Sequence, residues 1–348
     1  MTWNTSRGST PFQPSRQDVK GKTLGFTVFY MNPSASEEVC QIIREQTPLG
    51  WHVTTPGVNG ELHAGLASCD FILVADQAIL AEHITAAPRL RMIQHQGVGY
   101  ERIDLNACRS RRIPVALTPE GTSVAVAEHT LLLILAVYKN LIKASAAVLA
   151  GYWPQWELRN TSFDLQRKSV GLVGMGRIGR AVAQRVLAFG AHILYFDPLV
   201  PDLEGLPVTR VASLAALLAQ ADIVSLHVPL TPENQHLVNR STLQMMKPGA
   251  ILVNTARGGL VDETALAEAL TSGRIAAAAL DVLGQEPPAP DNPLLRLENV
   301  LITPHIAAGS RDALITKMQS AFANMVRHTR GQPLLNVVPE LADLLRAE

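Results

Sequence analysis

A glycine-rich turn near the middle of the chain constrains the fold more than any other feature of the sequence. An apolar run over residues 170–173 leads into Gly-Met-Gly-Arg-Ile-Gly at 174–179, and a helical pattern follows. In such a turn the first glycine permits a sharp bend, the second lets a pyrophosphate approach the backbone, and the third lets the helix pack on the strand. The N–H groups that begin the helix favour bound phosphate. The pattern predicts dinucleotide contacts from Gly174, Gly176, Arg177, Ile178 and Gly179.

Asp197 follows the next predicted strand, eighteen residues after the last glycine of the turn. An acidic residue at this point accepts hydrogen bonds from the ribose of a dinucleotide. Its negative charge would repel the 2′-phosphate of NADP. We therefore expect NAD (NADH) as the cofactor, with NADP disfavoured; a glycine turn with no ligand, in an ordinary strand–helix unit, is the alternative.

Short apolar runs alternate with helical patterns on both sides of this turn, which predicts an α/β fold with parallel sheets covered by helices. The runs are continuously apolar, so we expect strands that are buried on both faces. A chain of 348 residues is long enough for two domains. One helix is predicted from about 123 to 151, and a last helix from about 310 to 330 with Ser310 as its cap. The predicted strands cover residues 24–30, 71–75, 91–95, 113–116, 169–173, 191–196, 223–228, 251–254, 276–281 and 300–302.

The composition argues against several classes of function. The 30 Lys and Arg residues balance the 30 Asp and Glu residues, so there is no whole-chain electrostatic argument for binding nucleic acid or an anionic membrane. The longest apolar run, 131–138, is far shorter than the ~20 residues of a membrane-spanning helix. The polar segment 1–20 has no apolar core, so we expect a tail rather than a secretory signal, with a transit peptide as the alternative. Cys40, Cys69 and Cys108 form no Cys-x-x-Cys pair, so we expect reduced thiols in the cytoplasm and neither disulfides nor a metal site.

Three polar residues, Arg257, Glu286 and His305, each come within a few residues of the end of a predicted strand. Ligands of open α/β sheets bind outside the carboxyl ends of the strands. We therefore expect these side chains to share an edge of the sheet with the glycine turn. Taken singly, they could be a solvated loop cation, a surface carboxylate and a capping histidine.

Together the three side chains match the needs of a 2-keto acid that is reduced to a 2-hydroxy acid. Arg257 can bind the carboxylate and the carbonyl oxygen, and His305 can give or take a proton near neutral pH. Glu286, accepting a hydrogen bond from the other ring nitrogen, would favour the charged imidazolium. NADH would supply the hydride.

A second glycine-containing loop, Gln96-Gly97-Val98-Gly99, follows the predicted strand 91–95 in the first half of the chain. Its backbone N–H groups are suited to binding the substrate carboxylate from a facing domain. A plain turn between a strand and a helix is the alternative.

These residues and their order resemble the D-isomer-specific 2-hydroxyacid dehydrogenase family, in its glyoxylate/hydroxypyruvate reductase-like branch. The resemblance covers about residues 94–309. It implies a Rossmann-type doubly wound parallel sheet, the NAD-binding domain at 119–308, inserted into a smaller flavodoxin-like α/β substrate domain formed by 21–118 and 309–348. The segments that carry the resemblance are 97–104, 126–135, 170–180, 227–239, 246–266, 280–288 and 303–307.

The resemblance also implies residue roles. Arg257, Glu286 and His305 match the family's catalytic positions, and the loop 96–99 contacts the substrate together with Arg257 and His305. A homodimer is implied, and Trp153 matches an aromatic residue that in some members of the family reaches the partner subunit's active site. Further cofactor contacts are implied for His227, Val228, Pro229, Thr255, Ala256 and Asp281.

The chain departs from the family pattern at several places. Glu101 and the arginine after it replace a common Asp-Asn-like pair beside the substrate loop, and Glu120 stands where the family usually has glycine. The phosphoglycerate branch carries an arginine just before its glycine loop, where this chain has Gln-His-Gln at 94–96. Formate dehydrogenases carry Gln at the position of Glu286. Phosphoglycerate and formate are therefore disfavoured as substrates.

We expect an NAD-dependent D-2-hydroxyacid dehydrogenase that interconverts a small 2-keto acid, such as glyoxylate or hydroxypyruvate, and its D-2-hydroxy acid. His305 would be the general acid and base, paired with Glu286, and Arg257 would bind the substrate. The alternatives are a D-3-phosphoglycerate dehydrogenase-like enzyme and a nucleotide-gated binding protein of the co-repressor type.

Overall fold

The computed structural model describes residues 25–56, 62–201, 203 and 205–345, and the predicted tail at 1–20 lies outside them. The first of its two sheets consists of β1 (Thr27–Met31), β2 (His52–Thr54), β3 (Phe71–Val74), β4 (Met92–His95) and β5 (Val115–Ala116). All its strand pairs are parallel, in the order β2-β1-β3-β4-β5. This is the flavodoxin-like order of a doubly wound sheet, as predicted.

The second sheet follows in the chain and is larger. Its strands are β6 (Ser169–Val173), β7 (His192–Phe196), β8 (Val208–Arg210), β9 (Ile223–Leu226), β10 (Ala250–Asn254), β11 (Ile275–Leu280) and β12 (Val300–Ile302). They are parallel and ordered β12-β11-β10-β9-β6-β7-β8. The order reverses between β6 and β9, and ligands of such sheets bind at that switch point. The predicted Rossmann-type sheet is therefore confirmed.

Helices cover both sheets. The first half contains α1 (Glu37–Gln46), α2 (Leu62–Ser68), α3 (Ala81–Thr85) and α4 (Leu105–Ser110). The rest of the chain contains α5 (Thr122–Tyr138), α6 (Leu141–Leu149), α7 (Arg177–Leu187), α8 (Leu214–Gln220), α9 (Arg240–Met245), α10 (Glu263–Thr271) and α11 (Arg311–Thr329). Ser310 caps α11 as predicted, because its hydroxyl accepts a hydrogen bond from Ala313 N at 3.1 Å.

The prediction of one long helix over 123–151 was wrong. The chain breaks at Asn140, which has φ 50°, and α6 leaves at 61° to α5. Asparagine tolerates this left-handed conformation better than most residues. Its side chain also donates a hydrogen bond to the carbonyl of Thr161 at 2.9 Å. A local polar contact therefore outweighs the apolar helical pattern.

No single helix among the described residues combines the length and apolarity needed to cross a bilayer. The bent pair α5 and α6 meets both criteria only when the two helices are counted together.

The last helix returns to the first sheet. Met318, Phe322 and Met325 of α11 are buried in one core cluster with Val28 and Tyr30 of β1. Burial of this kind contributes about 25 cal/mol per Å² of apolar surface. Segments near the two ends of the described chain thus build one of the core clusters of the first sheet together.

A buried polar network joins this core to the connection between the sheets. Gln94, at the carboxyl end of β4, donates a hydrogen bond to Thr118 Oγ1 at 2.8 Å and accepts one from Asn324 of α11 at 3.0 Å. Thr118 in turn donates to the carbonyl of His95 at 2.8 Å. The network fixes the end of β4, from which the loop 96–99 departs.

Lys317 on α11 is a buried cation, with 6% of its surface exposed. Its ammonium group donates a hydrogen bond to the carbonyl of Ala308 at 2.8 Å. Burial lowers the pKa of Lys317 from 10.5 to about 8. The protonated form of Lys317 is therefore less favourable in the folded chain than in the unfolded chain.

Candidate active site

The glycine turn after β6 is constrained at two of its glycines. Gly174 has φ 99°, and a β-carbon there would lie 2.5 Å from the carbonyl oxygen of His227. A β-carbon on Gly179 would lie 2.3 Å from the carbonyl oxygen of Gly174. Both positions therefore require glycine for the turn to close and for α7 to approach β6.

The second glycine of the turn is different, because a β-carbon on Gly176 would meet nothing within 4 Å. Gly176 is the N-cap of α7 and provides no side-chain cap for the first N–H groups of the helix. Arg177 comes next, and its guanidinium donates a hydrogen bond to Asn336 at 3.3 Å. An open helix N-terminus with its positive dipole end fits the pyrophosphate of a dinucleotide.

Asp197 directly follows β7 and is tied to the glycine turn. Its carboxylate accepts hydrogen bonds from Met175 N at 2.8 Å and from Leu199 N at 2.9 Å. Each carboxylate oxygen has a second lone pair, which is the acceptor that a ribose hydroxyl requires. The residue thus stands at the sheet edge where the dinucleotide pattern predicts it.

The ends of β9 and β10 supply five further predicted cofactor residues at the same edge. His227 bonds to Ser225 Oγ at 2.9 Å, and burial lowers its pKa to about 4, so it is neutral near pH 7. Val228 and the exposed Pro229 follow it. Thr255 is buried and its hydroxyl pairs with Thr130 of α5 at 2.9 Å, with the half-buried Ala256 next in the chain.

A histidine–carboxylate pair lies at the ends of β11 and β12. His305 Nδ1 is 2.8 Å from Glu286 Oε2. The other carboxylate oxygen, Oε1, accepts a hydrogen bond from Leu283 N at 3.0 Å. This arrangement orients the ring and leaves its Nε2 atom for a reacting group.

Asp281 holds the turn that carries His305. Its buried carboxylate accepts hydrogen bonds from Thr303 Oγ1 at 2.6 Å, Ile306 N at 2.9 Å and Ala307 N at 2.8 Å. His305 itself has φ 54° and donates its N–H to the carbonyl of Asp281 at 2.8 Å. Asp281 was predicted to contact the cofactor, and in the structure it holds the turn that carries His305. The supporting contact of His129, 3.1 Å from Thr303 Oγ1, was not predicted.

Arg257 lies just beyond β10 on a turn that Asn254 stabilises. Asn254 accepts a hydrogen bond from Ala256 N at 3.0 Å and donates one to the carbonyl of Arg257 at 2.9 Å. The guanidinium donates Nη1–H to the carbonyl of Ala256 at 2.7 Å. Its Nε atom lies 3.4 Å from Glu101 Oε1. The arginine therefore faces the loop that follows β4, on the other sheet.

That facing loop contains the predicted substrate-binding residues Gln96, Gly97, Val98 and Gly99. Gly97 donates its N–H to His95 Nδ1 at 2.9 Å. The backbone N–H groups of this loop that are left to bind a carboxylate are therefore those of Val98 and Gly99. Val98 is 37% exposed. The Oε1 atom of Gln96 is buried and has no hydrogen-bond partner among the described residues. An unpaired buried acceptor beside an open loop is the kind of group that a bound molecule satisfies.

Strand order brings the predicted catalytic residues to one edge. β10, β11 and β12 are neighbours, and Arg257, Glu286 and His305 each follow one of them. The structure places Glu286 and His305 in direct contact, and Arg257 beside Gly99 of the loop 96–99. Sequence reasoning missed the contact of Glu101 with Arg257; the only signal in the sequence was that Glu101 departs from the family pattern.

The fold and the position of this site define a two-domain protein of the dinucleotide-binding α/β class. Residues 131–307 match the family described as D-isomer specific 2-hydroxyacid dehydrogenase, NAD binding domain. The chain belongs to the D-isomer-specific 2-hydroxyacid dehydrogenase family.

Individual relatives agree with this family. The chain is 38% identical over 305 residues to a D-3-phosphoglycerate dehydrogenase of Archaeoglobus fulgidus, covering 87% of this chain but only 57% of that protein. It is 38% identical over 292 residues to a glyoxylate reductase of Korarchaeum cryptofilum, covering 83% of this chain and 88% of that protein. A crystal structure of a Thermus thermophilus protein superimposes with a TM-score of 0.79 at 38% identity, covering 89% of this chain and 99% of the other.

Proposed function

We propose that this protein is an NAD-dependent D-2-hydroxyacid dehydrogenase that interconverts a small 2-keto acid and its D-2-hydroxy acid. The observation that carries the proposal is the 2.8 Å contact between His305 and Glu286 at the sheet edge that Arg257 shares. A paired imidazole and a guanidinium at a dinucleotide-binding edge are the groups that this reduction requires.

Each side chain has a defined task in the proposed reaction. Arg257 binds the substrate carboxylate and draws electron density from the carbonyl oxygen. His305 gives its proton to that oxygen during reduction and takes it back during oxidation. Glu286 holds the ring in place through its contact with Nδ1. When bound, NADH supplies the hydride that the carbonyl carbon accepts.

The residues at the glycine turn fit a nicotinamide dinucleotide. The open space at Gly176 and the uncapped start of α7 would hold the pyrophosphate. Asp197 would accept the hydroxyls of the adenosine ribose, and its charge favours NAD over NADP. His227, Val228, Pro229, Thr255 and Ala256 would line the remaining edge, with Asp281 behind the histidine turn.

The domain boundaries that we propose are 21–118 with 309–348 for the substrate domain and 119–308 for the nucleotide domain. The packing of α11 against β1 supports them. The contact between Arg257 and Glu101 lies between the two domains, so the substrate would bind in the cleft between them.

A small substrate such as glyoxylate or hydroxypyruvate is favoured by the glyoxylate reductase relative, because this chain covers 88% of that protein. The second candidate is oxidation of D-3-phosphoglycerate, favoured by relatives of that name at 38% identity. The chain spans about half the length of those relatives, 57% for the Archaeoglobus protein.

We also propose a homodimer formed through α6 and the residues after it. None of the residues of α6 is buried, although the helix is mostly apolar. Leu149 is 86% exposed and Trp153 is 72% exposed, in a segment that also exposes Ile142 and Trp156; a large exposed apolar patch marks an interaction surface. Light scattering of the purified protein tests the dimer, and Leu149→Glu should shift it toward the monomer.

Three buried, unpaired cysteines suit the reducing cytoplasm that we propose as its compartment.

Steady-state oxidation of NADH and of NADPH with a panel of keto acids tests the proposed function. The panel contains glyoxylate, hydroxypyruvate, its 3-phosphate and pyruvate. We expect turnover with NADH and a small keto acid, lowered about 10²–10⁴-fold in His305→Gln but unchanged in the matched surface variant His192→Gln. A protein that binds NADH and reduces none of these acids would instead support the co-repressor-type alternative.

A further inference from the structure

Two neighbouring residues of α5 contact the edge of the sheet where the candidate site lies. Thr130 pairs with Thr255, which follows β10, at 2.9 Å. The Nε2 atom of His129 lies 3.1 Å from Thr303 Oγ1, directly after β12. The proposed reaction uses neither side chain of the helix, but His129 contacts the residue that begins the turn carrying His305.

The direction of the hydrogen bonds around Thr303 follows from its single hydroxyl proton. The hydroxyl donates that proton to the carboxylate of Asp281 at 2.6 Å. Its oxygen can therefore only accept a hydrogen bond from His129, which donates its Nε2–H. The same nitrogen lies 3.5 Å from Asp281 Oδ1, so the imidazole N–H faces two acceptors.

These side chains are largely shielded from solvent. The side chain of Asp281 is 1% exposed and that of His129 is 12% exposed. A buried hydrogen bond is costly to lose, because no solvent molecule readily replaces the missing partner. An apolar residue in place of the histidine would therefore deprive Thr303 Oγ1 of its donor and weaken the support of the Asp281 carboxylate.

The histidine turn, residues 303–307, depends on this carboxylate. Asp281 accepts hydrogen bonds from Ile306 N at 2.9 Å and from Ala307 N at 2.8 Å. His305, just before them, has φ 54°, and a residue other than glycine keeps such a conformation only where its surroundings hold it. A rotation of the carboxylate would release both N–H groups and move the imidazole of His305.

The helix that carries His129 is itself fixed to the sheet. Ala127, Leu133 and Ile134 of α5 are buried in one core cluster with Ala279 of β11. Groups that orient a reacting side chain do so best from rigid elements. The contact of His129 therefore ties the histidine turn to a packed helix rather than to another loop.

We propose that His129 is a positioning residue of the reaction, which orients the histidine turn through Thr303 and Asp281. The proposal rests on the function proposed above. His129 exchanges no proton with the substrate; it fixes the Asp281 carboxylate, which in turn fixes the place of His305. Its loss should lower kcat. The binding of NADH and of the keto acid should change little, because the glycine turn and Arg257 are proposed to provide it.

The test measures kcat and KM with the keto acid of the panel that the wild type reduces best, and the Kd of NADH by fluorescence. Titration with NADH also counts the folded protein in each sample. His129→Gln keeps an N–H group near the position of Nε2, whereas His129→Leu removes it at similar size. The control Glu128→Gln breaks the contact of the preceding residue with Arg185 at 3.1 Å, which does not involve the histidine turn.

We expect His129→Leu to lower kcat at least about tenfold, with KM and the Kd of NADH within about threefold of the wild type. His129→Gln should recover most of this loss, and Glu128→Gln should match the wild type. In a His305→Gln background, His129→Leu should lower kcat by less than about twofold more, because it acts only through that ring.

Thr303 provides a second pair of variants of the same contact, which decides the matter if His129→Leu does not fold. Thr303→Val removes the hydroxyl at similar size, and Thr303→Ser keeps it. We expect Thr303→Val to lose at least as much kcat as His129→Leu, Thr303→Ser to retain most of it, and His129→Gln to add no further loss to Thr303→Val.

A wild-type kcat in His129→Leu or in Thr303→Val would overturn this proposal alone. Equal losses in His129→Leu and His129→Gln would do the same, and so would a loss that persists in full in the His305→Gln background, since a merely structural role gives those results. A wild type that reduces no keto acid of the panel would overturn the proposed function, and this proposal with it.

Discussion

Arg257 Nη2 occupies the space that a β-carbon on Gly99 would need, since such a carbon would lie 1.7 Å from that nitrogen. The absence of a side chain at Gly99 is therefore what allows the arginine of one sheet to reach the loop of the other. Gly99→Ala should displace the guanidinium by an ångström or more. We expect kcat/KM for the keto acid to fall by about 100-fold, as misplaced binding groups do.

A comparison within the same loop controls for general disturbance of its backbone. A β-carbon on Gly97 would lie 3.3 Å from the ring of His95, which is tight but leaves Arg257 untouched. Gly97→Ala should therefore lose much less activity than Gly99→Ala. Equal losses in the two variants would show that the contact with Arg257 is not the cause.

His305 and Glu286 should behave as one unit. We expect Glu286→Gln to lower kcat for NADH oxidation at least about tenfold, and His305→Gln to lower it more. The double variant should be no slower than His305→Gln, because the carboxylate acts only through the ring. Steady-state kcat for all four proteins measures this, with NADH binding followed by fluorescence as the control. Losses that multiply in the double variant would contradict the pairing.

Asp197 should set the preference between the two dinucleotides. Asp197→Asn removes the charge but keeps an oxygen that can accept the hydrogen bond from Met175 N. We expect the ratio of kcat/KM with NADPH to kcat/KM with NADH to rise at least about tenfold. Asp291→Asn, at an exposed position, should leave the ratio unchanged. If the ratio is unchanged in Asp197→Asn, Asp197 does not contribute to cofactor binding.

Because of Lys317, the free energy of unfolding should rise with pH in the alkaline range. Its pKa is about 8 in the folded chain and 10.5 as the ordinary value. Between these values the unfolded chain binds more protons, so the free energy of unfolding increases with pH. We expect the wild type to gain up to about 3 kcal/mol relative to Lys317→Met between pH 8 and 10.5. Urea unfolding at several pH values measures the difference.

The matched control for that series is Lys139→Met, since Lys139 is exposed at the end of α5 and lies outside the proposed dimer helix. Its unfolding free energy should stay parallel to that of the wild type from pH 8 to 10.5. Below pH 8 the difference between the wild type and Lys317→Met should be constant. If the difference in unfolding free energy between the wild type and Lys317→Met stays constant from pH 8 to 10.5, the pKa of Lys317 is not lowered in the folded chain.

Much of the architecture could be predicted because its causes are local. The long buried strands appear in the sequence as continuous apolar runs, and Gly179 is required by a contact with Gly174, only five residues away. The edge strands β2 and β8 were missed. They have three residues each and are mostly exposed or half-buried, so they contain no apolar run to detect.

The parts of the site that could not be predicted depend on contacts between distant segments. The contact of Glu101 with Arg257 requires two loops from different sheets to meet. The sequence predicts that Asp281 lies at the end of a strand. Its contacts with the histidine turn depend on how residues 303–307 fold over β11. No periodicity or spacing encodes such contacts, because they are set by the relative placement of whole strands.

The return of α11 to β1 has a consequence for how this protein is made. Met318 is synthesised about 200 residues after β5, which takes roughly 10 to 40 s at ~5–20 residues per second. Throughout that interval the apolar side chains of β1 that α11 will cover are without their partner, while all the strands of the inserted sheet are synthesised before α11 begins. On the ribosome, the part of the protein that begins first is therefore completed last.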